Sequence, residues 1–232
     1  MECIVLAGGL GTRLKSAIGE IPKCMAPMDN RPFLQYLFEY LRLQGCTRVI
    51  LSLGHKHEVI LNWLSTRDLP FQVDHVIEHE PLGTGGGIRL ALEKATTDNV
   101  IILNGDTMFR IGLPDLLAFH TSHPAETTLA LKHMRRFDRY GSVKVNEAGI
   151  ITAFDEKDYR EDGFINGGVY VISRKEFFDR RLPAKFSFEK DYLEAFVEEK
   201  RFYGQVQEAY FIDIGIPADY LQAQVDFKHI FS

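Results

Sequence analysis

The sequence predicts an α/β protein built on a Rossmann-like, doubly wound, mostly parallel sheet flanked by helices, with antiparallel strands added in the second half. Two observations support this prediction. In the first half, short apolar runs rich in β-branched residues alternate with segments of helical periodicity, as in successive β-α-β units. After Leu129 the runs are shorter and separated by turns such as Asn146-Glu-Ala-Gly149, which is typical of antiparallel strands.

The elements of the first half follow in order. Cys3 to Ala7 predicts a buried strand that stops at Gly8-Gly9. Apolar residues at helical spacing from Phe33 predict a helix that Gly45 ends. The same periodicities predict a strand at 49–53, a helix at 58–64, a strand at 71–77, a helix at 87–92 and a strand at 100–103. Right-handed crossovers between parallel strands follow from this order.

In the second half, strands are predicted at 142–145, 150–154 and 164–172, and Pro217 predicts the first turn of a last helix. With 232 residues, of which 45% are hydrophobic, the chain can bury one substantial core. We therefore expect a single domain over 1–232.

Composition argues against several classes of protein. The net charge is −5 and the charges are interspersed, so there is no basic stripe for a nucleic acid. Three cysteines without CxxC spacing argue against a disulfide framework and against structural zinc, and they fit a reducing cytoplasm. No apolar run reaches the length of a membrane span or of a signal sequence. We expect a cytoplasmic protein with no nucleic-acid partner and no membrane partner.

A glycine-rich loop, GGLGTRL at 8–14, follows the first predicted strand. Its small residues let backbone amides approach a phosphate chain closely, and Arg13 would add a permanently charged donor. Leu14 stands where a dinucleotide fingerprint needs its third glycine, and the Gly-Lys-Ser/Thr of a P-loop is missing. The loop predicts phosphate binding of another kind, with an ordinary turn after a strand as the alternative.

Two charged residues complement this loop. Lys23 follows Pro22, whose fixed backbone angle restricts the reach of the ammonium, although most lysines are simply solvated. Asp106 comes just after the strand at 100–103, at the edge where open parallel sheets bind their ligands. A carboxylate there suits Mg²⁺, although Asn-Gly-Asp is also a common turn sequence.

A second glycine-rich segment, EPLGTGGG at 80–87, lies between a predicted strand and a predicted helix. Exposed backbone amides and carbonyls there could read the edge of a base. A loosely structured helix start is the alternative, because glycines indicate only that something approaches the backbone closely.

Together, LAGGLGTRL at 6–14, Pro22-Lys23, the segment 80–86 and Asp106 resemble the sugar-1-phosphate nucleotidyltransferases of the nucleotidyl transferase superfamily, and the resemblance runs along essentially the whole chain. It implies a GT-A-like nucleotidyltransferase fold and an enzyme that joins a nucleoside triphosphate to a sugar 1-phosphate with Mg²⁺ and releases pyrophosphate. It also implies a nucleotide-binding part of about 1–125 and a sugar-phosphate-binding part of about 126–232.

The resemblance implies roles for individual residues. Nucleotide binding is implied for Leu6, Ala7, Gly8, Gly9, Gly11, Thr12, Arg13, Lys23, Glu80, Pro81, Gly83, Thr84, Gly85 and Asp106. Sugar-phosphate binding is implied for Gly141, Glu156, Lys157, Asn166 and Gly168. The metal ligands are Asp106 and Asp213, and the catalytic residues are Arg13, Lys23, Asp106 and Lys157.

The late motifs also have ordinary structural interpretations. Glu156-Lys157 could be a surface ion pair, Asn166-Gly167 a hairpin turn, and Asp213-Ile-Gly215 a cap before the last helix. Their occurrence in the family's order favours the functional interpretation. Cys24 departs from the family, which often has an apolar residue or proline there.

Within the superfamily, the chain resembles the D-glycero-α-D-manno-heptose 1-phosphate guanylyltransferases in four segments, DNRPFL at 29–34, FDRYG at 137–141, FINGG at 164–168 and YFIDIG at 210–215. This implies GTP and a heptose 1-phosphate as substrates. An apolar outer surface on the antiparallel section would support a homodimer.

The implied reaction is an in-line attack of the sugar 1-phosphate on the α-phosphorus, with pyrophosphate leaving and no covalent intermediate. Because both reactants are anions, cations matter more than a general base. Arg13 and the amides of 8–12 would hold the triphosphate, Lys23 would neutralise the α-phosphate, and Lys157 would position the sugar phosphate.

Several alternatives stay open. A uridylyl- or cytidylyltransferase could act on another sugar phosphate, such as a hexose or N-acetylmuramate phosphate, or on phosphocholine. A regulatory subunit could keep the fold and only bind nucleotide sugars, although the charged residues are all present. A Rossmann-type redox enzyme is disfavoured by Leu14. Zinc is disfavoured because the histidines lie on separate predicted elements, namely His55, His57, His75, His79 and His133.

Overall fold

A computed structural model describes residues 1–9 and 14–231 of the chain, apart from the side chains of Lys15 and Ser16. The first half consists of β1 (Glu2–Leu6), α1 (Lys15–Ile18), a 3-10 turn (Lys23–Met25), β2 (Pro27–Met28), β3 (Arg31–Pro32), α2 (Phe33–Leu43), β4 (Arg48–Leu53), α3 (His57–Leu64), β5 (Gln72–Ile77), α4 (Gly83–Leu92) and β6 (Asn99–Asn104).

The second half consists of β7 (Thr107–Phe109), α5 (Leu113–Thr121), β8 (Thr127–Phe137), β9 (Ser142–Val145), β10 (Ile151–Asp155), β11 (Arg160–Ser173), α6 (Arg174–Asp179), a π-helical turn (Phe188–Glu194), a 3-10 turn (Val197–Glu199), β12 (Phe202–Gln207), β13 (Phe211–Asp213) and α7 (Pro217–Ile230).

Nine of these strands form one central sheet. The strands β6, β1, β4 and β5 lie side by side in this order and run parallel. β11 pairs antiparallel with β6 and extends the sheet toward β9 and β10 on one path and toward β8 and β12 on another. The structure confirms the predicted class, a mostly parallel sheet with antiparallel strands added.

Strand β1 shows how the sheet divides the core. Cys3 and Val5 belong to a buried cluster that includes residues of α2, α5 and α7, whereas Ile4 belongs to a second cluster with residues of α4 and α6. Because successive side chains of a strand point to opposite faces, the helices bury their apolar sides on both faces of the sheet. The sheet is therefore doubly wound.

Most predicted boundaries agree with the structure within one residue. The exceptions are β11, which begins at Arg160 rather than 164, and α4, which begins at Gly83 rather than 87. The start predicted for α4 is wrong because helical periodicity does not reveal a first turn rich in glycine, a poor helix former.

The sequence pattern does not predict α1, β2, β3, β7, α5, β8, α6, β12 or β13. Strand β8 illustrates the reason. Its buried residues are 127–131 and Phe137, and the sequence between them, Lys132-His-Met-Arg-Arg136, is polar and more exposed, so the strand does not form a continuous apolar run. Its position depends on pairing with β11 and β12 instead.

The predicted division near residue 125 falls between α5 and β8. Strands β6 and β11 pair across it, from Leu103 opposite Val169 to Asn99 opposite Ser173, so the two parts share one sheet. Within 1–9 and 14–231, no helix has both the length and the apolar character needed to cross a membrane.

Candidate active site

A cavity of about 740 Å³ opens at the carboxyl ends of the four parallel strands. Its walls come from the end of β1, the loop after β4, the loop between β5 and α4, and the end of β6. This is the edge where open α/β sheets bind ligands, because the loops of several strands converge there. Of the predicted nucleotide-binding residues, those that line the cavity are Leu6, Ala7, Gly8, Gly9, Lys23, Glu80, Pro81, Gly83, Thr84 and Asp106.

The glycine after β6 places Asp106 beside the first strand. The amide of Gly105 donates to the carbonyl of Leu6 at 2.9 Å, and a Cβ on Gly105 would lie 2.6 Å from that oxygen. Only glycine therefore allows β6 to end this close to β1. Asp106 then accepts a hydrogen bond from Lys23 Nζ at 2.8 Å, and both side chains are about a quarter exposed.

Asp213 reaches the same place from the other end of the chain. Strand β13 pairs with β7 so that Asp213 lies opposite Thr107, and the amide of Ile214 donates to the carbonyl of Asp106 at 3.0 Å. Burial raises the pKa of Asp213, and the charge of Asp106 raises it further, while the Gly215 amide and Lys23 act in the opposite direction. Two carboxylates far apart in sequence therefore interact.

Cys24, beside Lys23, lies on the cavity wall and is almost fully buried. Burial and the charge of Asp106 raise the pKa of the Cys24 thiol to about 12. The thiol therefore stays protonated at neutral pH and acts as a small apolar side chain beside the carboxylate.

The second glycine-rich segment combines two roles. Gly83 and Thr84 line the cavity, but Gly85 and Gly86 are buried in the first turn of α4. A Cβ on Gly85 would lie 2.2 Å from the ring of Phe186, and the Gly85 amide donates to the Phe186 carbonyl at 3.1 Å. Gly85 therefore packs against Phe186 and does not line the cavity.

Glu78 is a cavity residue that the motifs do not identify. Its carboxylate accepts from the amide of Leu82 at 3.2 Å and lies where a Cβ on Gly8 or Gly87 would approach within 3.1 and 2.7 Å. Burial raises the pKa of Glu78. The available signal was an acidic residue directly after an apolar strand, the same signal that identifies Asp106.

The loop after β4 also lines the cavity, at Gly54 and the residues 55–58. Lys56 adopts a left-handed backbone conformation, with φ of 58°. Its ammonium donates to the carbonyl oxygen of Glu20 at 2.6 Å and to the Glu20 carboxylate at 3.0 Å. The contact joins this loop to the chain that follows α1, and no sequence motif indicated it.

The predicted residues Asn166 and Gly168 lie inside β11, where the strand register shifts, and not at a hairpin turn. Gly168 has a φ of +71°, and a Cβ there would lie 2.7 Å from Nδ2 of Asn104. Asn166 accepts from the Gly168 amide at 3.0 Å and donates to the Tyr170 hydroxyl at 2.9 Å. Both residues are therefore close to the end of β6.

The predicted residues Gly141, Glu156 and Lys157 lie near the end of β10. A Cβ on Gly141 would lie 2.7 Å from the carbonyl of Asp155, the last residue of that strand. Glu156 is highly exposed and lies 3.9 Å from Lys190 of the π-helical turn. Lys157 is exposed too. The three are not among the residues that line the 740 Å³ cavity.

The loop before β9 lies close to the paired aspartates. Burial and the charge of Asp213 raise the pKa of Tyr140 to about 12. Arg139 bonds to the Asp219 carboxylate at 2.5 Å and stacks on the Tyr140 ring. Gly141 is thus held at the junction between β10 and the Asp213 segment. The predicted Gly11, Thr12 and Arg13 lie outside the described residues, so their roles stay predictions.

The comparisons with known proteins agree over the whole chain. Residues 2–229 match the family model described as Nucleotidyl transferase. The chain is 50% identical over 229 residues to the D-glycero-α-D-manno-heptose 1-phosphate guanylyltransferase of Aneurinibacillus thermoaerophilus, covering 99% of both chains. It is 44% identical over 220 residues to the protein of the same name from Campylobacter jejuni subsp. jejuni serotype O:2, covering 95% of this chain and 97% of that one.

Solved structures give the same result. The crystal structure of HddC from Yersinia pseudotuberculosis superposes with a TM-score of 0.87 at 38% identity, covering 97% of this chain and 99% of that one. The structure of the same protein complexed with GMP-PN superposes with a TM-score of 0.86, at the same identity and coverage. A whole-chain family match, relatives well above 30% identity and a shared fold lead to one conclusion: the chain belongs to the nucleotidyl transferase family.

Proposed function

We propose that this chain is a D-glycero-α-D-manno-heptose 1-phosphate guanylyltransferase, which transfers GMP from GTP to the sugar 1-phosphate and releases pyrophosphate. The observation that carries the proposal is the meeting of Lys23 and Asp106 on the wall of one cavity at the ligand-binding edge of the sheet, with Asp213 next to Asp106. The names of the two full-length relatives and the GMP-PN complex of the similar structure support the choice of nucleotide and sugar.

Asp106 and Asp213 fit the needs of a Mg²⁺ ion. The charge of Asp106 raises the pKa of the half-buried Asp213, so a divalent cation would relieve their mutual repulsion. Among residues 1–9 and 14–231, no three His, Cys, Asp or Glu side chains gather as a metal site. Two carboxylates suffice for Mg²⁺, which usually completes its coordination with phosphate oxygens and water. When bound, it would stabilise negative charge on the α-phosphate as a Lewis acid.

The chain's own cations act on the two anionic substrates. Lys23 is held against Asp106 at 2.8 Å, in a position to move toward a phosphate oxygen when the nucleotide enters. Lys157 is exposed next to β10 and is proposed to position the sugar phosphate for in-line attack. Holding two anions together against their repulsion is the main task in this kind of phosphoryl chemistry.

The choice of base is proposed to depend on the loop after β5. Glu80 is exposed on the cavity wall beside Pro81 and Gly83. Guanine presents N1–H and its 2-amino group side by side, and a carboxylate can accept from both. Uracil offers one N–H on that edge, and adenine presents an acceptor at N1. A carboxylate at this place therefore favours GTP.

The test is to incubate the protein with Mg²⁺, each of GTP, ATP, UTP and CTP, and a set of heptose and hexose 1-phosphates, and to measure pyrophosphate release. We expect GTP with D-glycero-α-D-manno-heptose 1-phosphate to give the highest kcat/KM. Lys23→Ala should lower kcat by about 10²-fold, the usual effect of losing one charge-stabilising donor. Lys94→Ala, at an exposed position after α4, should not change it. Preference for UTP or CTP, or no turnover with GTP, would refute the proposal.

A further inference from the structure

One carboxylate enters the cavity from a segment that is distant in sequence from the other walls. Glu189 lies in the π-helical turn Phe188–Glu194, is half-buried, and lines the cavity together with Asn104 and Asp106. π-helical turns are rare and are frequent at functional sites.

Buried aromatic side chains hold the π-helical turn in place. Phe188 is fully buried, and its ring packs against Tyr170 at 5.0 Å and Tyr192 at 5.2 Å between centroids. The Tyr192 hydroxyl donates to the buried Glu126 at 2.8 Å. Next to this aromatic cluster, Ser187 Oγ donates to Oε2 of Glu189 at 3.1 Å. The position of the Glu189 carboxylate is therefore set by the fold.

The surroundings of Glu189 include polar side chains. The Tyr170 hydroxyl bonds to the side chains of Asn166 and Asn104. Burial raises the pKa of Tyr170, and the charge of Glu189 raises it further, which places the carboxylate near this group. Of the Lys, Arg and His side chains described, none forms an ion pair with Glu189, whereas its neighbour Lys190 lies 3.9 Å from Glu156.

A carboxylate that forms no ion pair with the described cations, together with two amides and a tyrosine hydroxyl, suits the hydroxyl groups of a ligand. A hydroxyl that donates to an ionised carboxylate forms a stronger bond than one between neutral groups. The cluster lies beside Asp106 on the cavity wall and includes Asn166 of β11, the strand that also carries Gly168.

We propose that Glu189 is a specificity-determining residue that accepts hydrogen bonds from hydroxyl groups of the sugar 1-phosphate. Asn104 and Asn166, both tied to Tyr170, complete the surface that reads these hydroxyls. This assignment rests on the proposed function, because it requires a sugar phosphate as the second substrate. The ribose of the nucleotide carries the same hydroxyl chemistry, so the experiment must separate the two.

The test compares Glu189→Gln and Glu189→Ala with Glu194→Gln, a matched change at an exposed position of the same turn. The variants are assayed with whichever nucleotide and sugar phosphate the unchanged protein uses best. We expect the KM for the sugar 1-phosphate to rise about 10-fold or more in both Glu189 variants, as for loss of a charged hydrogen bond. The KM for the nucleotide should stay within twofold, and Glu194→Gln should behave as the unchanged protein.

Deoxy analogues of the sugar 1-phosphate provide a measurement that a merely structural role would not affect. For one analogue, removal of a single hydroxyl should raise the KM of the unchanged protein but leave that of Glu189→Ala unaltered, because the variant has already lost the acceptor to which this hydroxyl donates. Equal penalties in both proteins for every analogue would overturn the assignment.

Two further outcomes would also overturn it. A rise in the KM for the nucleotide that disappears with 2′-deoxy nucleotides would assign Glu189 to the ribose. A rise in the Mg²⁺ concentration needed for activity would assign it to the metal. If the unchanged protein prefers another base or sugar, the proposed guanylyl transfer to heptose fails, but the same comparison still decides the role of Glu189. If it accepts no sugar phosphate, both proposals fail.

Discussion

Asp213 is a single residue whose ionisation is opposed by its position. Burial and the charge of Asp106 raise its pKa above the value it has in the unfolded chain. The folded protein therefore retains a proton that the unfolded chain releases. As pH rises through the interval between the two pKa values, stability falls, and it remains lower above that interval. At neutral pH, the ionised Asp213 therefore lowers the stability of the metal-free protein.

We therefore predict that Asp213→Asn raises the Tm of the metal-free protein at pH 7.5, because the amide keeps an oxygen for the Gly215 amide but carries no charge. The gain should shrink as pH falls through the raised pKa of Asp213 toward its usual range. Added Mg²⁺ should stabilise the unchanged protein and not the variant. Thermal unfolding followed by circular dichroism measures all three, with the exposed Asp98→Asn as control.

Two results would contradict this prediction. A lower Tm for Asp213→Asn without metal would show that the carboxylate is stabilised by its neighbours, and equal Mg²⁺ stabilisation of both proteins would place the ion elsewhere.

At the scale of elements, glycines serve two different purposes in this fold. Gly85, in the first turn of α4, has no room for a side chain because the Phe186 ring lies against it. Gly9, at the end of β1, has no described atom within 4 Å of the place where a Cβ would be. One glycine is required by packing of the protein, and the other leaves space beside the cavity.

These two positions give a paired prediction. Gly85→Ala should destabilise the protein by about 1–3 kcal/mol, as overpacking does, and lower the Tm by several degrees. Gly9→Ala should leave the Tm nearly unchanged but raise the KM for the nucleotide, since its methyl group would occupy the space in which phosphate approaches the backbone. Unfolding curves and steady-state kinetics on both variants distinguish the cases. A large loss of stability in Gly9→Ala would contradict this distinction.

At the scale of the whole molecule, one buried ion pair ties the antiparallel half together. Glu126, just before β8, is 1% exposed and accepts from two nitrogens of Arg180 at 2.8 and 2.5 Å. The Tyr192 hydroxyl of the π-helical turn donates to the same carboxylate. Hydrogen bonds to Glu126 and Glu199 raise the pKa of Arg180. The network thus joins the sheet, the end of α6 and the turn that carries Glu189.

We predict that Arg180→Met destabilises the protein by about 3–5 kcal/mol, because the buried Glu126 charge loses both hydrogen bonds from Arg180 and keeps the more distant Arg201, at 3.9 Å. Adding Glu126→Gln to that variant should recover part of the loss, since the poorly paired charge is then removed. Urea unfolding of the single and double variants gives both values. Recovery should be absent if the cost of Arg180→Met comes from lost packing alone.

The sequence by itself determined the order of strands and helices in the first half, the glycine loop after β1 and the acidic residue after β6. These features are local, because both apolar periodicity and a short motif depend on residues that are close together in the sequence. The resemblance to a family then favoured a functional role for Lys23 and supplied Asp213, which composition and periodicity alone do not select.

Only the tertiary structure decided which distant residues meet. The pairing of β13 with β7 brings Asp213 to Asp106, the segment around Phe186 explains Gly85, and the π-helical turn brings Glu189 into the cavity. Each depends on contacts between residues far apart along the chain, between short or irregular segments that have no period of their own. Such contacts depend on all the packing interactions of the folded chain together. No single segment of the sequence is therefore enough to predict them.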